Sequence, residues 1–430
     1  MSGQSGSSSI LAPLRVREFR ALWFAELLSV AGDQLARVAL AVLVFDRTDS
    51  ALLTALTYAL TFVPSVLGGF LLSGLADRFP RRAVLVVTDF LRAGIALLMA
   101  VPGLPLPVLW ACVALLSVAS GPFKAASMAL LPHVVPGERY AQALALRQVT
   151  GQSAQLAGFA GGGALLVVLE PHLALGLNAL TFLLSAILVR LGVRHRPAAV
   201  SRVDTAEGSG GTDRRKLVVL YALVSLIGLY VVPEGLAAPY ADGLGTAAVG
   251  VGLLLAADPL GSAVGAWLVA RFRIPASPGI AAGLAAAGGV PLVLCGLAPG
   301  LVLSILCWAA SGVFSTAYLL QTQTMVVEAV PDHRLGTVMG RMATVLYCSQ
   351  GVAVLLAGLA ADAAGPVRVI AAAGALSVIS AAAIGFGNGR IRPRRGGGPE
   401  FTAHQSLLPM AGTSSQRMDC RDASALSMKV

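Results

Sequence analysis

Gly74-Leu75-Ala76-Asp77-Arg78-Phe79-Pro80-Arg81-Arg82 is a short charged turn between two long apolar runs. Gly74 has no side chain, so a neighbouring helix can approach the end of the first run closely. Asp77 can accept hydrogen bonds from the unpaired N–H groups at a helix start, where the helix dipole favours an anion. Arg78, Arg81 and Arg82 belong at a membrane–water boundary, and Pro80 stiffens the turn. The runs on either side, 51–74 and 83–101, are each long enough to cross a bilayer.

The rest of the chain has the same character. Of its 430 residues 56% are hydrophobic and only 12% charged, with a mean hydropathy of +0.79. A soluble globular chain carries about 25% charge. Twelve apolar stretches follow: 19–45, 51–74, 83–101, 106–131, 138–169 and 172–192, then 216–240, 246–270, 277–298, 301–327, 333–362 and 366–386. They are continuously apolar, without the period-two alternation of a membrane barrel. The expected fold class is an all-α membrane protein of twelve transmembrane helices.

Basic residues set the expected topology. Arg15, Arg17 and Arg20 precede the first span, and Arg78, Arg81 and Arg82 follow the second. Arg190, Arg194, Arg196, Arg202, Arg214, Arg215 and Lys216 surround the central interruption. Arg271, Arg273, Arg334, Arg390 and Arg392 continue the series, while the other side holds Arg47 and Arg368. The positive-inside rule then puts both termini in the cytoplasm of a plasma-membrane protein. It also accounts for the net charge of +10 without nucleic acid. Five cysteines have neither disulfide-framework nor metal-ligand spacing, so no metal is expected.

The one long polar interruption, with Gly208-Ser209-Gly210-Gly211, reads as a flexible linker. The expected organisation is a cytoplasmic segment 1–18, a six-helix bundle 19–192, a linker 193–215, a second six-helix bundle 216–386 and a disordered cytoplasmic tail 387–430. The halves repeat at an offset of 195. Val135-Pro136 aligns with Val330-Pro331, Pro64 with Pro259, and Gly163 with Gly358.

The turn at 74–82 resembles the signature of the major facilitator superfamily, with Pro80 where the family has a glycine before its final basic pair. That family's fold is two pseudo-symmetric six-helix bundles, in keeping with the repeat. The resemblance implies that Gly74, Asp77, Arg78, Arg81 and Arg82 form a latch holding the halves together on the cytoplasmic side when the cavity faces outward. Asp77→Asn is expected to impair transport while leaving membrane insertion intact; unchanged transport at matched expression would remove the latch assignment. Gly158-Phe159-Ala160-Gly161-Gly162-Gly163 resembles a degraded antiporter motif, with Phe159 in place of its proline. Its alternative reading is ordinary small-residue helix packing through Gly158, Gly162 and Gly163. Gly32-Asp33, Phe45-Asp46-Arg47-Thr48 and Asp89-Phe90-Leu91-Arg92-Ala93 are similar to the drug and macrolide efflux branch that includes the enterobactin exporter.

Ionisable residues in mid-span are costly and mark candidate sites. Asp33 lies roughly 20 Å along the first span, near the midplane. Arg37 is one turn on, on the same face, so the two can pair. Asp33 is the leading candidate for proton coupling or cation recognition, with a static Asp33–Arg37 pair as the alternative. Glu26 either lines the cavity or snorkels. Lys124 and Arg147 either meet a cavity acid or an anionic substrate, or snorkel to headgroups. Asp89 and Arg92 read as a structural pair. Asp258, before Pro259, either lines the cavity or caps locally. Tyr58, Phe62, Tyr318 and Gln321 are further cavity candidates whose facing is open, and Glu234 is the other main acid of the second half.

No Gly-x-x-x-x-Gly-Lys-Ser/Thr loop is present, which excludes ATP drive within this chain. No nucleophile–base set stands out, so no enzyme activity and no cofactor are expected. The expected function is proton-coupled efflux of drugs or small amphipathic metabolites by a monomer in a lipid bilayer. A proton-coupled nutrient importer is the alternative, separable by a deletion strain's drug sensitivity or growth. A non-transporting sensor or scaffold is a remote third reading, because it calls for a large soluble domain.

Overall fold

A computed structural model describes residues 12–72, 78–136, 139–196, 214–272, 274–330 and 332–389. Gly74 and Asp77 lie outside the described residues, as do most of the linker and the tail. After a 3-10 turn at Ala12–Arg15, the first half contains α1 (Arg17–Thr48), α2 (Ala51–Ala59), α3 (Val63–Leu72), α4 (Arg81–Met99), α5 (Leu106–Val134), α6 (Arg139–Leu165) and α7 (Pro171–Gly192). The second contains α8 (Arg214–Ser225), α9 (Ile227–Gly235), α10 (Ala237–Gly243), α11 (Ala247–Phe272), α12 (Pro278–Leu297), α13 (Leu301–Ala329), α14 (Asp332–Ala364) and α15 (Pro366–Gly389).

The expected twelve spans are all helical, but two of them are not continuous. Span 2 breaks between α2 and α3, because Pro64 has no N–H for the carbonyl of Leu60 and its ring crowds that turn. Tight bonds from Thr61 N to Tyr58 O and from Phe62 N to Ala59 O replace the α-helical ladder there. Span 7 is split into α8, α9 and α10, with Pro239 just beyond the break at Leu236. Ten spans are long and apolar enough to cross a membrane by composition alone. The other two, α4 and α6, carry the polar load. Arg81, Arg82, Asp89 and Arg92 lie on α4, and Arg147 with Gln142, Gln148, Gln152 and Gln155 on α6. Arg81, Arg82, Asp89, Arg92 and Arg147 bond to neighbouring helices, while Val87, Leu97, Leu115, Leu297, Leu306 and Ile379 stand exposed on the outer surface. Such an apolar exterior is suited to lipid, and the chain is a multi-pass membrane protein.

The 195-residue offset carries Leu106 to Leu301 and Pro171 to Pro366, so α5 begins where α13 does and α7 where α15 does. Packing repeats in the same way. Helix α4 packs on α7 as α12 packs on α15, and α3 on α5 as α11 on α13. Between the halves, α6 packs on α11, and α14 packs on α2 and α3. Gly163 and Gly358 occupy matching places at these two seams. A Cβ on Gly163 would stand 2.7 Å from the Cα of Gly252, and one on Gly358 would stand 2.4 Å from the Cβ of Ala55. Glycine at both positions is what lets the opposing helices touch.

Asp362, near the end of α14, closes the same seam. Its carboxylate accepts the backbone N–H of Ala51 at 2.7 Å and of Leu52 at 3.3 Å, and the Ser50 hydroxyl at 3.0 Å. It therefore caps α2 from the other half, at a helix start where an anion is favoured. These contacts all lie at the face where Thr48, Leu165 and Ala364 end their helices. At the other, basic face, α3 and α14 stand apart. A cavity of about 670 Å³ lies between Ser65, Val66 and Gly69 on α3 and Thr337, Arg341 and Tyr347 on α14.

Candidate functional site

Arg92 on α4 is the centre of a buried ionic knot. Its guanidinium donates to Asp33 at 2.8 Å, to Asp89 at 3.3 Å and to Ser29 Oγ at 3.1 Å. Ser185 on α7 donates to the second oxygen of Asp89 at 2.5 Å. The Phe182 ring lies against the guanidinium, 4.0 Å from its centroid, which adds a cation–π contact. Arg92 and Asp89 are almost wholly buried, while the Asp33 side chain is 28% exposed. The knot ties α1, α4 and α7 together, with Asp33 as its one accessible corner.

Asp33 therefore pairs with Arg92, and Arg37 is not its ion-pair partner. One turn of helix does put Asp33 and Arg37 on one side of α1. Asp33, however, faces α4, where a fixed guanidinium already waits. The longer Arg37 reaches towards α2, with its guanidinium carbon 5.7 Å from the Tyr58 ring centroid and 6.0 Å from that of Phe62. The Asp89–Arg92 pair forms as the sequence suggests, but Arg92 also serves Asp33.

Tyr58 donates its hydroxyl hydrogen to the Glu234 carboxylate, a bond from α2 of one half to α9 of the other. Both residues sit beside helix breaks, Tyr58 before Pro64 and Glu234 after Pro233. Arg37 is within electrostatic reach of Glu234, and Glu234 within that of Asp258. Asp258, on α11 against Gly312 of α13, accepts a long hydrogen bond from Ser262 at 3.4 Å and has no ion-pair partner among the described residues. Glu234 was the acid hardest to place from sequence. Its sequence signal is the adjoining Pro233, which lies inside α9 shortly before that helix ends at Gly235.

The remaining candidates separate. Glu26 pairs with Arg147 at 2.6 Å, and Arg147 also donates to Ser127 at 2.9 Å, tying α1, α6 and α5. Arg81 donates to the carbonyl of Ala129 at 2.7 Å and lies 3.1 Å from His133, while Arg82 donates to the carbonyl of Arg190. These two arginines anchor the start of α4 to α5 and α7. Arg78 is exposed. Gly158 and Gly162 pack against Ala31 and Leu35 of α1, and Gly163 against α11. Phe159 is fully buried in the core shared by both halves. Tyr318 and Gln321 are buried, and Gln321 donates to the carbonyl of Ile274 at 2.9 Å.

A pocket of about 90 Å³ joins the central groups. Asp33, Arg37, Arg92, Lys124, Ser117 and Asn178 contribute to its wall. Ser65 lines both this pocket and the 670 Å³ cavity, so the two adjoin. The described lining of the smaller pocket comes wholly from the first half, whereas the larger cavity that it adjoins lies between the halves.

The family model described as Major Facilitator Superfamily matches residues 22–232. Over those residues the sequence, and throughout the described chain the fold, is that of the major facilitator superfamily. Two curated relatives of this facilitator align over most of its length. The uncharacterized MFS-type transporter YjbB of Bacillus subtilis is 28% identical over 376 residues, covering 83% of this chain and 93% of that protein. The enterobactin exporter EntS of Shigella boydii is 29% identical over 364 residues, covering 80% and 85%. Among solved structures, a bacterial homologue of the human lysosomal transporter Spinster, crystallised inward-facing and unoccupied, superposes with a TM-score of 0.71 at 15% identity, covering 90% of this chain and 98% of that one. A peptide transporter of the POT family in complex with sulfate gives 0.70 at 14% identity, covering 87% and 94%. These likenesses are to transporters, not to enzymes.

Proposed function

We propose that this facilitator exports small amphipathic compounds across the plasma membrane, driven by protons. In this reading the units 19–192 and 216–386 rock about the central pocket, with both termini and the linker 193–215 in the cytoplasm. The observation that carries it is the seam between α14 and α2–α3, closed at Gly358 and Asp362 yet parted around Ser65 and Thr337. The basic face is assigned to the cytoplasm by its arginines, so the present conformation faces inward. The likeness to an enterobactin exporter supports outward transport. The loop with Gly74 and Asp77 is assigned the opposite task, holding the cytoplasmic side shut when the pocket faces out.

Proton coupling is assigned first to Glu234, which bonds across the halves, and with it to Asp33 at the pocket and Asp258 on α11. The Tyr58–Glu234 bond crosses between the halves, so the protonation state of Glu234 bears on whether the outer side stays closed. The test is substrate uptake into everted vesicles after a pH gradient is imposed, using a broad compound panel. The expected result is gradient-driven uptake that Glu234→Gln removes, while exchange of labelled for unlabelled substrate without a gradient persists. No movement of any compound in the panel would count against export. Gradient-driven uptake unaffected by Glu234→Gln would count against the assigned coupling residue.

A further inference from the structure

We infer that the pocket binds the anionic group of an acidic amphipathic substrate, an inference that rests on the export reading and names its substrate class. The argument is one of charge. The pocket wall holds Arg37, Arg92 and Lys124 against a single acid, Asp33. Arg92 is already satisfied by Asp33 and by Asp89 behind it. Arg37 lies within electrostatic reach of Glu234, which leaves Lys124, exposed and with no ion pair or hydrogen bond among the described residues, as the free cation of the wall. The larger cavity adds Arg341, also exposed, and among the described residues Arg341 makes no ion pair and no acid lines the cavity. Its wall mixes Val66, Ala343 and Tyr347, which suit an apolar body, with the hydroxyls of Ser65, Thr337 and Thr344.

An uncompensated cation in a partly dehydrated pocket is costly by itself and becomes favourable when an anion arrives. Walls of one sign also focus the field and raise the local concentration of the opposite charge. The route from the 670 Å³ cavity past Ser65 to Lys124 and Arg37 is therefore selective for a molecule with an acidic head and an apolar body. A cationic drug would meet the same arginines as a barrier, because Asp33 is already engaged by Arg92.

Binding to the purified full chain in neutral detergent tests this with three matched probes: 2-naphthalenesulfonate, the neutral 2-naphthalenesulfonamide and the cation 2-naphthylmethylammonium. The sulfonate is expected to bind about ten-fold more tightly than the sulfonamide, the gain from one charge-assisted contact. Lys124→Gln is expected to erase that ratio and Lys124→Arg to keep it. Lys124 is exposed, so neither variant should disturb folding. Equal affinities, tighter binding of the cation, no sulfonate binding, or a ratio unchanged by Lys124→Gln would each overturn the inference. The export reading is judged separately by the vesicle flux, which can succeed with neutral or cationic compounds while this charge preference fails.

Discussion

Arg92→Met is expected to destabilise the protein by about 3–5 kcal/mol, the usual cost of removing one partner from a buried ionic group. The variant would leave Asp89 with no cation, in a site with no water access, and Ser185 as its sole strong partner. Asp33 suffers less, because its side chain is partly exposed and can be hydrated. The two acids thus make different predictions. Adding Asp89→Asn to Arg92→Met should restore a large part of the stability, whereas adding Asp33→Asn should restore little. Thermal unfolding in detergent, read by loss of the monodisperse peak, checks both. A melting point in Arg92→Met equal to that of the parent would show that the knot holds nothing together.

Gly358→Leu should abolish transport without preventing insertion. The residue sits where α14 touches α2, with a Cβ position 2.4 Å from Ala55 and 3.0 Å from the Cα of Leu52. Those neighbours are backbone or a methyl group, and none can swing aside. Overpacking of this kind costs about 1–3 kcal/mol. The cost falls on the conformation closed at this face and spares one in which the seam has opened. A penalty of that size shifts a two-state equilibrium by roughly 5- to 150-fold. Spin labels on Asp46→Cys and Ala363→Cys, both exposed, should then report a longer separation than in the parent. An unchanged distance distribution, with transport intact, would mean that the Gly358 contact is incidental to the cycle. Gly163→Leu at the α6–α11 seam should act in the same direction, since the two glycines are related by the internal repeat.

These predictions draw on residues of different legibility. Gly163 and Gly358 were visible as a repeated pair, because the duplication keeps its register and a seam between helices needs a small residue in both copies. Asp33 stood out because a carboxylate in mid-span has so few reasons to be there. Asp362 gave no such signal. It lies at a span end, where acids are common, and its role depends on α2 arriving from the other half. Glu234 and Tyr58 are separated by 176 residues, and no periodicity connects them. Arg37 illustrates the limit most directly. Helical spacing puts it beside Asp33, but a side chain of that length is free to choose another partner.

By itself the sequence determined that the chain lives in a bilayer, how many spans it has, that they are two related sets of six, and where the charged turn at Asp77 falls. Each of these follows from local composition or from a fixed register, which the chain carries with it wherever it folds. Only the tertiary structure decided which acid meets which base, that Arg92 takes Asp33, that Tyr58 reaches Glu234, and that Arg37 and Lys124 are left facing a cavity. The reason is geometric. The direction of a side chain from its helix is set by helical pitch, but the identity of what it meets is set by the neighbouring helices, and those are brought together by packing between distant parts of the chain.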